Sequence, residues 1–372
     1  MADIRTARPQ QKQWVQQQKE KVYFLEQEPR TNTTSKRMWK IIASLVLFIG
    51  TYVTVTTLLE NHAIGQSNPQ VKGVHTVTTD ISSIVEQNTK TTVPMAKTLI
   101  PSRKEGAVDL VMVNAHASAI IDAQTQTVLH FHEGNAHRQI ASLTKIATAL
   151  FVTKKIENLD EVVTISESAL QVEGTRVGCP RSGYCISPRM FPGEKITVKN
   201  LMRAALMNSA NDAAKALAEH VAGSEEEFVS QLNEYVQQMG LRDTHFCTAS
   251  GLEITGKEDQ CYSSAYDIAR IGAEAIKNKD ILEILQTPAK SITSSDKKQT
   301  HDLLNTNKLL GQIPELLGTK TGFTPLAGYS LLGFATDPSG EHTIVSAMLD
   351  NPYRWEDIKE MITWVGENYQ WK

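Results

Sequence analysis

The sequence predicts an α+β fold in which helices cover the faces of an antiparallel sheet and form a helical subdomain, preceded by one transmembrane helix. Two hairpin-like segments, residues 117–132 and 329–349, enclose a helical middle, and a last helix is expected from about Pro352. Strands at both ends of a domain with helices between them are typical of a sheet built from both termini. With 372 residues, 41% of them hydrophobic, the chain can bury one large core or two ordinary ones.

The transmembrane prediction rests on residues 41–59. This uncharged run of 19 residues is about long enough to cross a bilayer core of ~30 Å. Basic residues crowd its N-terminal side and Glu60 follows it, so the positive-inside rule keeps residues 1–40 in the cytoplasm. The basic residues are Lys36, Arg37 and Lys40. A cleavable signal peptide is the alternative, but no A-x-A site ends the apolar run.

The segments on either side of the span have distinct compositions. Residues 1–40 hold nine Lys or Arg against four Asp or Glu, a net charge of 9 − 4 = +5, and predict a solvated tail or a short helix against a partner. Residues 60–108, rich in Thr, Ser and Asn, indicate a linker, which leaves residues 109–372 as the candidate catalytic domain. The formal net charge of −3 argues against nucleic acid as the main partner.

Periodicity predicts the elements of residues 109–372. Polar residues at 123–126 form the turn of the first hairpin, and Asp-Pro-Ser-Gly at 337–340 forms the turn of the second. Apolar residues spaced near 3.6 predict a helix around residues 140–151. Further helices are expected at residues 198–207, 212–221, 225–239 and 266–276.

Three short patterns with reactive side chains occur in order: Ser142-Leu143-Thr144-Lys145, Ser209-Ala210-Asn211 and Lys320-Thr321-Gly322. A bare S-x-x-K match means little, because the polar stretch at residues 294–298 contains two more. Ser142 and Lys145, however, lie three residues apart on a predicted helix, so the amine can reach the hydroxyl. The alternative is an exposed serine and lysine on a solvated helix face.

The chemistry of these patterns depends on a second cation. Serine attacks after a base has removed its proton, and lysine is such a base only if burial or a nearby cation lowers its pKa. Lys320 is the candidate cation, and on an edge strand Lys320 and Thr321 can also bind a carboxylate. Gly322 lets a ligand approach the backbone. Helix capping at residues 209–211 and an ordinary turn at residues 320–322 are the competing interpretations.

Together the three patterns resemble the serine D,D-peptidases and serine β-lactamases, whose signature is S-x-x-K, S-x-N and K-T-G. Six blocks between residues 110 and 350 are similar, in the right order, to low-molecular-mass D-alanyl-D-alanine carboxypeptidases of peptidase family S11. They include IIDAQTQTVLHFHEGNAHRQIASLTKIATAL, LMRAALMNSANDAAKALAEHVAGS and GTKTGFTPLAGYSL. The resemblance implies the β-lactamase/transpeptidase-like fold and a penicillin-binding hydrolase that uses no cofactor and no metal.

The resemblance also implies a substrate and a set of roles. The substrate is a peptidoglycan stem peptide ending in D-Ala-D-Ala, which β-lactams imitate as inhibitors. Its terminal carboxylate is bound by Lys320 and Thr321. The implied site consists of the nucleophile Ser142, its base Lys145, the proton relay Ser209, the peptide-binding Asn211, the carboxylate-binding Lys320 and Thr321, Gly322, and an oxyanion hole from the backbone N–H groups of Ser142 and Phe323. The place of action is outside the bacterial cytoplasmic membrane, with the N-terminal tail free to contact cell-wall machinery.

Four alternatives share parts of this pattern. A D,D-endopeptidase that cuts crosslinks uses the same site, and a non-catalytic cell-wall scaffold has no need of the intact motifs. A class A β-lactamase needs glutamate in an E-x-x-L-N motif, whereas the nearest match, HDLLN, begins with His301. A metallopeptidase is disfavoured because His130, His132, Glu133 and His137 lack the H-E-x-x-H spacing.

The four cysteines are candidate disulfide partners, since none forms a C-x-x-C pair. Of the three pairings, Cys179 with Cys185 and Cys247 with Cys261 has the shortest loops, but the sequence does not choose between them. An extracytoplasmic domain favours the bond between Cys247 and Cys261. Two departures from the family are expected: a longer segment at CPRSGYCISPRM, and a membrane anchor at the N-terminus instead of an amphipathic one at the C-terminus.

Overall fold

The computed structural model of the protein describes residues 99–372, except Val113 and residues 181–183. Three predicted segments therefore lie outside the described residues: the tail, the transmembrane helix at residues 41–59, and residues 60–98 of the linker. Within the described part, no helix has the length and apolar character that a membrane crossing requires.

The main elements follow the predicted order of a hairpin, a helical middle, a second hairpin and a final helix. In chain order the described strands are β1 (Pro101–Arg103), β2 (Ala117–Asp122), β3 (Val128–His132), β4 (Val162–Thr164), β5 (Lys195–Thr197), β6 (Ala289–Thr293), β7 (Thr300–Leu304), β8 (Leu316–Thr324), β9 (Gly328–Thr336), β10 (Thr343–Leu349) and β11 (Tyr369–Trp371). The described helices are α1 (Thr144–Lys155), α2 (Glu167–Leu170), α3 (Val198–Met207), α4 (Asn211–Ala222), α5 (Glu225–Gln238), α6 (Ala265–Ala275), α7 (Lys279–Gln286) and α8 (Arg354–Asn368).

The central sheet has five antiparallel strands in the order β3-β2-β10-β9-β8. Ile121 of β2 pairs with Val345 of β10, so the two terminal hairpins meet in the middle of the sheet. This arrangement confirms the prediction of a sheet built from both ends of the domain. Strand β8, which carries the K-T-G pattern, lies at one edge, where its outer side is open to a ligand strand.

The sheet is buried on both faces, and alternation along each strand assigns residues to one core or the other. Ile121 and Phe334 pack in the core formed by the helices of the middle segment. Their neighbours Ile120 and Ala335 pack instead in a second core formed with α8. The helical face therefore carries the site, and α8 closes the opposite face.

Helix α1 is buried on all sides, which bears on whether Ser142 and Lys145 lie on a solvated helix face. Its residues from Thr144 to Val152 are all buried, because α1 lies between α6, α4 and α5 at the centre of the domain. Helices without polar faces belong in such positions. The interpretation of Ser142 and Lys145 as an exposed pair on a solvated face is therefore wrong.

Several parts of the fold lie outside the sequence prediction. The folded unit begins before the predicted boundary at Asp109, because β1 pairs with β11 at the C-terminal end of the domain. Helix α7 and the hairpin β6–β7 occupy a stretch for which no element was predicted, and the two extra S-x-x-K matches lie at its turn. Short strands such as β1, only three residues long, carry no usable periodicity.

Candidate active site

Ser142 lies in a single 3-10 turn, Ala141–Leu143, that leads directly into α1. Ala141 has a positive φ of 49°, a conformation that non-glycine residues adopt only when the surroundings impose it. Two glycines make those surroundings possible. A Cβ on Gly322 would lie 2.6 Å from Ile140 O, and one on Gly251 would lie 1.9 Å from Ala141 O. The nucleophile turn is thus held between β8 and the turn at residue 251.

Lys145, one helical turn from Ser142, is completely buried, and its Nζ has three polar neighbours. Ser142 Oγ lies at 2.8 Å, Asn211 Oδ1 at 2.7 Å and Ser250 O at 2.7 Å. The orientation of the Asn211 amide is set by its Nδ2, which donates to Glu173 O at 2.7 Å. Two of the three neighbours are therefore obligate acceptors, and they take two N–H bonds of the amine.

A neutral amine has two hydrogens and one lone pair, so the lone pair of Lys145 Nζ is left to face Ser142 Oγ. Burial lowers the pKa of Lys145 well below its usual value, and the positive charge of Lys320 lowers it further. The negative charges of Asp212 and Glu225 act in the opposite direction. The site therefore favours the free base that a serine nucleophile needs.

Lys320, on β8, is also completely buried. Its Nζ donates to Ser209 Oγ and to Thr321 O, both at 2.9 Å. Burial, with a contribution from Arg354, lowers the pKa of Lys320 to about 7. Two lysines with lowered pKa values in one cleft are typical of a functional site rather than of a structural ion pair.

The S-x-N pattern lies at the start of α4, but its side chains do not cap that helix. The N-cap residue is Ala210, without a side-chain hydrogen bond to the helix. Ser209 has a φ of 56° and directs its hydroxyl to Lys320, while Asn211 binds Lys145. The capping interpretation is therefore wrong. The same holds for the ordinary turn at residues 320–322, because these residues lie inside β8.

The remaining predicted residues lie along the same edge of β8. Thr321 Oγ1 donates to Thr306 Oγ1 at 2.9 Å. Phe323 is 53% exposed and stacks on Tyr329. Its backbone belongs to the edge strand β8 and directly follows Gly322, which lies against Ile140 O. All eight residues predicted from the sequence thus meet in one cleft. Their roles on a substrate stay predictions.

Several residues of the site carried no recognised signal in the sequence. Ser250 supplies a carbonyl to Lys145 although it lies 105 residues away. Asp212 is buried and accepts from the backbone N–H of Val177 at 3.0 Å, and burial raises the pKa of this carboxyl to about 6. Asp212 directly follows Asn211, and this adjacency to the S-x-N pattern is the sequence signal that could have identified it. Arg354 is at the start of α8, and its Nη1 lies 3.5 Å from Gly322 O. No sequence signal pointed to this residue.

The cysteines pair as Cys179–Cys185 and Cys247–Cys261. The histidines of the metallopeptidase alternative are dispersed: His130 Nε2 lies 2.9 Å from Ser118 Oγ, and His137 pairs with Asp243. Among the residues that the structure describes, no three His, Cys, Asp or Glu side chains are grouped as a metal site requires.

The family model of the D-alanyl-D-alanine carboxypeptidases, peptidase family S11, matches residues 103–352. The chain belongs to this family. The match covers 250 of the 372 residues and contains the whole cleft. Family membership agrees with the resemblance drawn from the three motifs.

Curated relatives and solved structures support the same assignment. The chain is 32% identical over 225 residues to the D-alanyl-D-alanine carboxypeptidase DacF of Bacillus subtilis, covering 59% of this chain and 54% of the relative. It is 32% identical over 278 residues to DacA of Escherichia coli, covering 72% and 63%. The chain thus spans between half and two thirds of the length of these relatives.

Among solved structures, the chain resembles the DD-transpeptidase of Streptomyces K15 with a TM-score of 0.60 and 25% identity, covering 69% of this chain and 98% of that one. It resembles the D-alanyl-D-alanine carboxypeptidase of Mycobacterium tuberculosis H37Rv with a TM-score of 0.61 and 26% identity, covering 71% and 95%. The fold is therefore the penicillin-binding protein/transpeptidase-like α+β fold.

Proposed function

We propose that this protein is a serine D,D-carboxypeptidase that removes the terminal D-alanine from peptidoglycan stem peptides through an acyl-enzyme on Ser142. The observation that carries the proposal is the environment of Lys145 Nζ. Two carbonyl acceptors and complete burial leave its lone pair facing Ser142 Oγ at 2.8 Å. That geometry is the requirement for activating a serine hydroxyl.

In the acylation step, Lys145 Nζ takes the proton of Ser142 as Oγ bonds to the carbonyl carbon of the penultimate D-alanine. The carbonyl oxygen becomes an oxyanion between the backbone N–H groups of Ser142 and Phe323. A donor of this kind contributes about 10²- to 10³-fold in rate. Strand β8 suits the task because its edge is unpaired on the side of the nucleophile.

The tetrahedral intermediate then loses its C–N bond, and the amine of the terminal D-alanine takes the proton that left Ser142. Ser209, whose hydroxyl accepts a hydrogen bond from Lys320 Nζ at 2.9 Å, relays that proton. Lys320 and Thr321 hold the carboxylate of the departing D-alanine. Water then bonds to the ester carbonyl carbon as Lys145 accepts its proton. The bond between that carbon and Ser142 Oγ breaks, Oγ takes the proton from Lys145, and the shortened peptide leaves with a new terminal carboxyl group.

The same step explains inhibition by β-lactams. The lactam C–N bond breaks, but the amine stays attached to the adduct and blocks the cleft, so a long-lived ester on Ser142 is expected. A class A β-lactamase would need an acidic residue at the position of His301. Instead, His301 is buried, with Nδ1 2.8 Å from Pro188 O and Nε2 2.8 Å from Glu194 Oε1. Both ring nitrogens are therefore engaged in the fold.

Endopeptidase activity on crosslinks belongs to the same proposal, since only the leaving amine differs. The proposed location is outside the cytoplasmic membrane, anchored by residues 41–59 with the tail inside and available to cell-wall machinery. The charge asymmetry around that span supports this topology. Two disulfides in the catalytic domain also fit an oxidising compartment.

The test incubates the full-length chain with a D-Ala-D-Ala peptide, with defined muropeptides and with a fluorescent penicillin. Release of D-alanine and covalent labelling are expected, with an adduct that persists for minutes. Ser142→Ala should abolish labelling and lower turnover by up to about 10⁶-fold. Ser295→Ala, in an exposed S-x-x-K match, is the matched control and should behave as the parent. Label that survives Ser142→Ala in folded protein would refute the proposal, and adduct turnover in under a second would indicate a β-lactamase.

A further inference from the structure

The carbonyl of Ser250 that binds Lys145 belongs to a tight turn, residues 248–251, which we call the 248–251 turn. Residues 141–148, which include Ser142 and Lys145, contact this turn at three points. Lys145 Nζ donates to Ser250 O at 2.7 Å, Thr148 Oγ1 donates to Ala249 O at 2.7 Å, and Gly251 lies directly against Ala141 O. The position of the turn therefore determines where the general base points.

Glu225 holds the 248–251 turn from the opposite side. It is the first residue of α5, and its Oε1 accepts from the backbone N–H of Ala249 at 2.9 Å. Its side chain is only 16% exposed, and its nearest cation is Lys215 Nζ at 3.9 Å. A carboxylate with so little water depends on its hydrogen bond to the turn, and the turn depends on the carboxylate.

The charge of Glu225 cannot be what Lys145 needs. A nearby negative charge stabilises the ammonium form and so raises the pKa of Lys145, against the direction that the burial of the site imposes. The hydrogen bond and the charge of Glu225 therefore act on Lys145 in opposite senses. Only the hydrogen bond from Ala249 N–H to Glu225, at the residue before Ser250, can help Lys145 to act as a base.

We infer that Glu225 is a positioning residue for the general base: through the N–H of Ala249 it fixes the 248–251 turn, and through Ser250 O the turn orients Lys145 towards Ser142. This inference rests on the proposed function. A displacement of about 1 Å in such a group costs on the order of 10²-fold in rate. Loss of the Glu225 bond should therefore slow acylation without weakening the initial binding of a ligand.

Four substitutions in the full-length chain separate these effects. Glu225→Gln keeps a carbonyl oxygen for Ala249 and removes the charge. Glu225→Asp keeps the charge but is one methylene too short, and Glu225→Ala removes both. Glu226→Ala, at the next and exposed position of the same helix end, is the matched control for the helix terminus. Stopped-flow mixing with a fluorescent penicillin gives the noncovalent dissociation constant and the acylation rate constant separately.

We expect Glu225→Ala and Glu225→Asp to acylate at least about 10-fold more slowly at an unchanged dissociation constant. Glu225→Gln should stay within about 3-fold of the parent, and Glu226→Ala should match it. Parent-like rates in both Glu225→Ala and Glu225→Asp, or a Glu225→Gln variant as slow as Glu225→Ala, would overturn the inference. Glu225→Asp keeps the test decisive if Glu225→Ala does not fold. A parent chain that penicillin fails to label overturns the proposed function itself, and the inference with it.

Discussion

Replacing Lys320 by methionine should make the protein more stable and inactive at the same time. Lys320 is completely buried, and its pKa falls from 10.5 to about 7. This difference means that the charged form is disfavoured in the folded state by about 5 kcal/mol. Methionine has a similar length and no charge, so Lys320→Met removes the penalty and loses two hydrogen bonds worth about 1 kcal/mol each.

The sign of the pH dependence follows from proton binding. Between about pH 7 and 10.5 the unfolded chain binds the Lys320 proton and the folded chain does not, so the parent gains stability as the pH rises. The penalty is complete below pH 7 and has fallen to about 2 kcal/mol at pH 9. Lys320→Met should therefore be more stable than the parent at pH 6 by about 3 kcal/mol, and the difference should shrink as the pH rises to 9. Loss of the Lys320 charge also raises the pKa of Lys145, which adds to the gain at low pH.

Urea unfolding followed by tryptophan fluorescence, with the disulfides intact, measures this difference at both pH values. Lys308→Met, at an exposed position, is the control and should show the same small effect at each pH. A Lys320→Met variant that is less stable than the parent at pH 6 would refute the reasoning. So would a difference that does not change between pH 6 and pH 9.

Three further predictions follow from single features of the chain. Gly322→Ala should push β8 away from Ile140 O, which its Cβ would approach to 2.6 Å, so both the acylation rate and the melting temperature should fall; an unchanged acylation rate would contradict this. Replacing Cys247 and Cys261 together by serine should lower the free energy of unfolding by about 3 kcal/mol in urea, and free thiols in the parent would contradict the bond. Protease added to intact spheroplasts should digest the catalytic domain and spare residues 1–40; the reverse pattern would exclude the proposed topology.

The sequence alone identified the candidate site residues and predicted the plan of the sheet. Strand and helix periodicity predicted the two hairpins and the helices, because these patterns are local properties. The candidate site residues came from the three motifs in order and from their resemblance to a known family. The bounds of α3 agreed with the expected helix at residues 198–207, since its apolar period is uninterrupted. Short elements such as β1 and β4 escaped the prediction because three residues do not define a period.

Only the tertiary structure decided which interpretation of each motif holds. An S-x-x-K pattern at residues 295–298 and the one at Ser142 are equivalent as sequence, but one lies on a surface hairpin and the other on a buried helix. Burial comes from packing against distant segments, so no local pattern reports it. The same applies to Ser250 and Glu225, which hold Lys145 in place from parts of the chain that are remote in sequence.

The lowered pKa values show most clearly what the fold adds. A lysine in an unfolded chain is a cation at neutral pH, whatever its neighbours in the sequence. Lys145 becomes a candidate base because the sheet and the helices remove water from its amine and bring it near the amine of Lys320, whose pKa is lowered in the same way. The sequence specifies that residues 145 and 320 are lysines. Their protonation depends on desolvation, which occurs only once the core has formed.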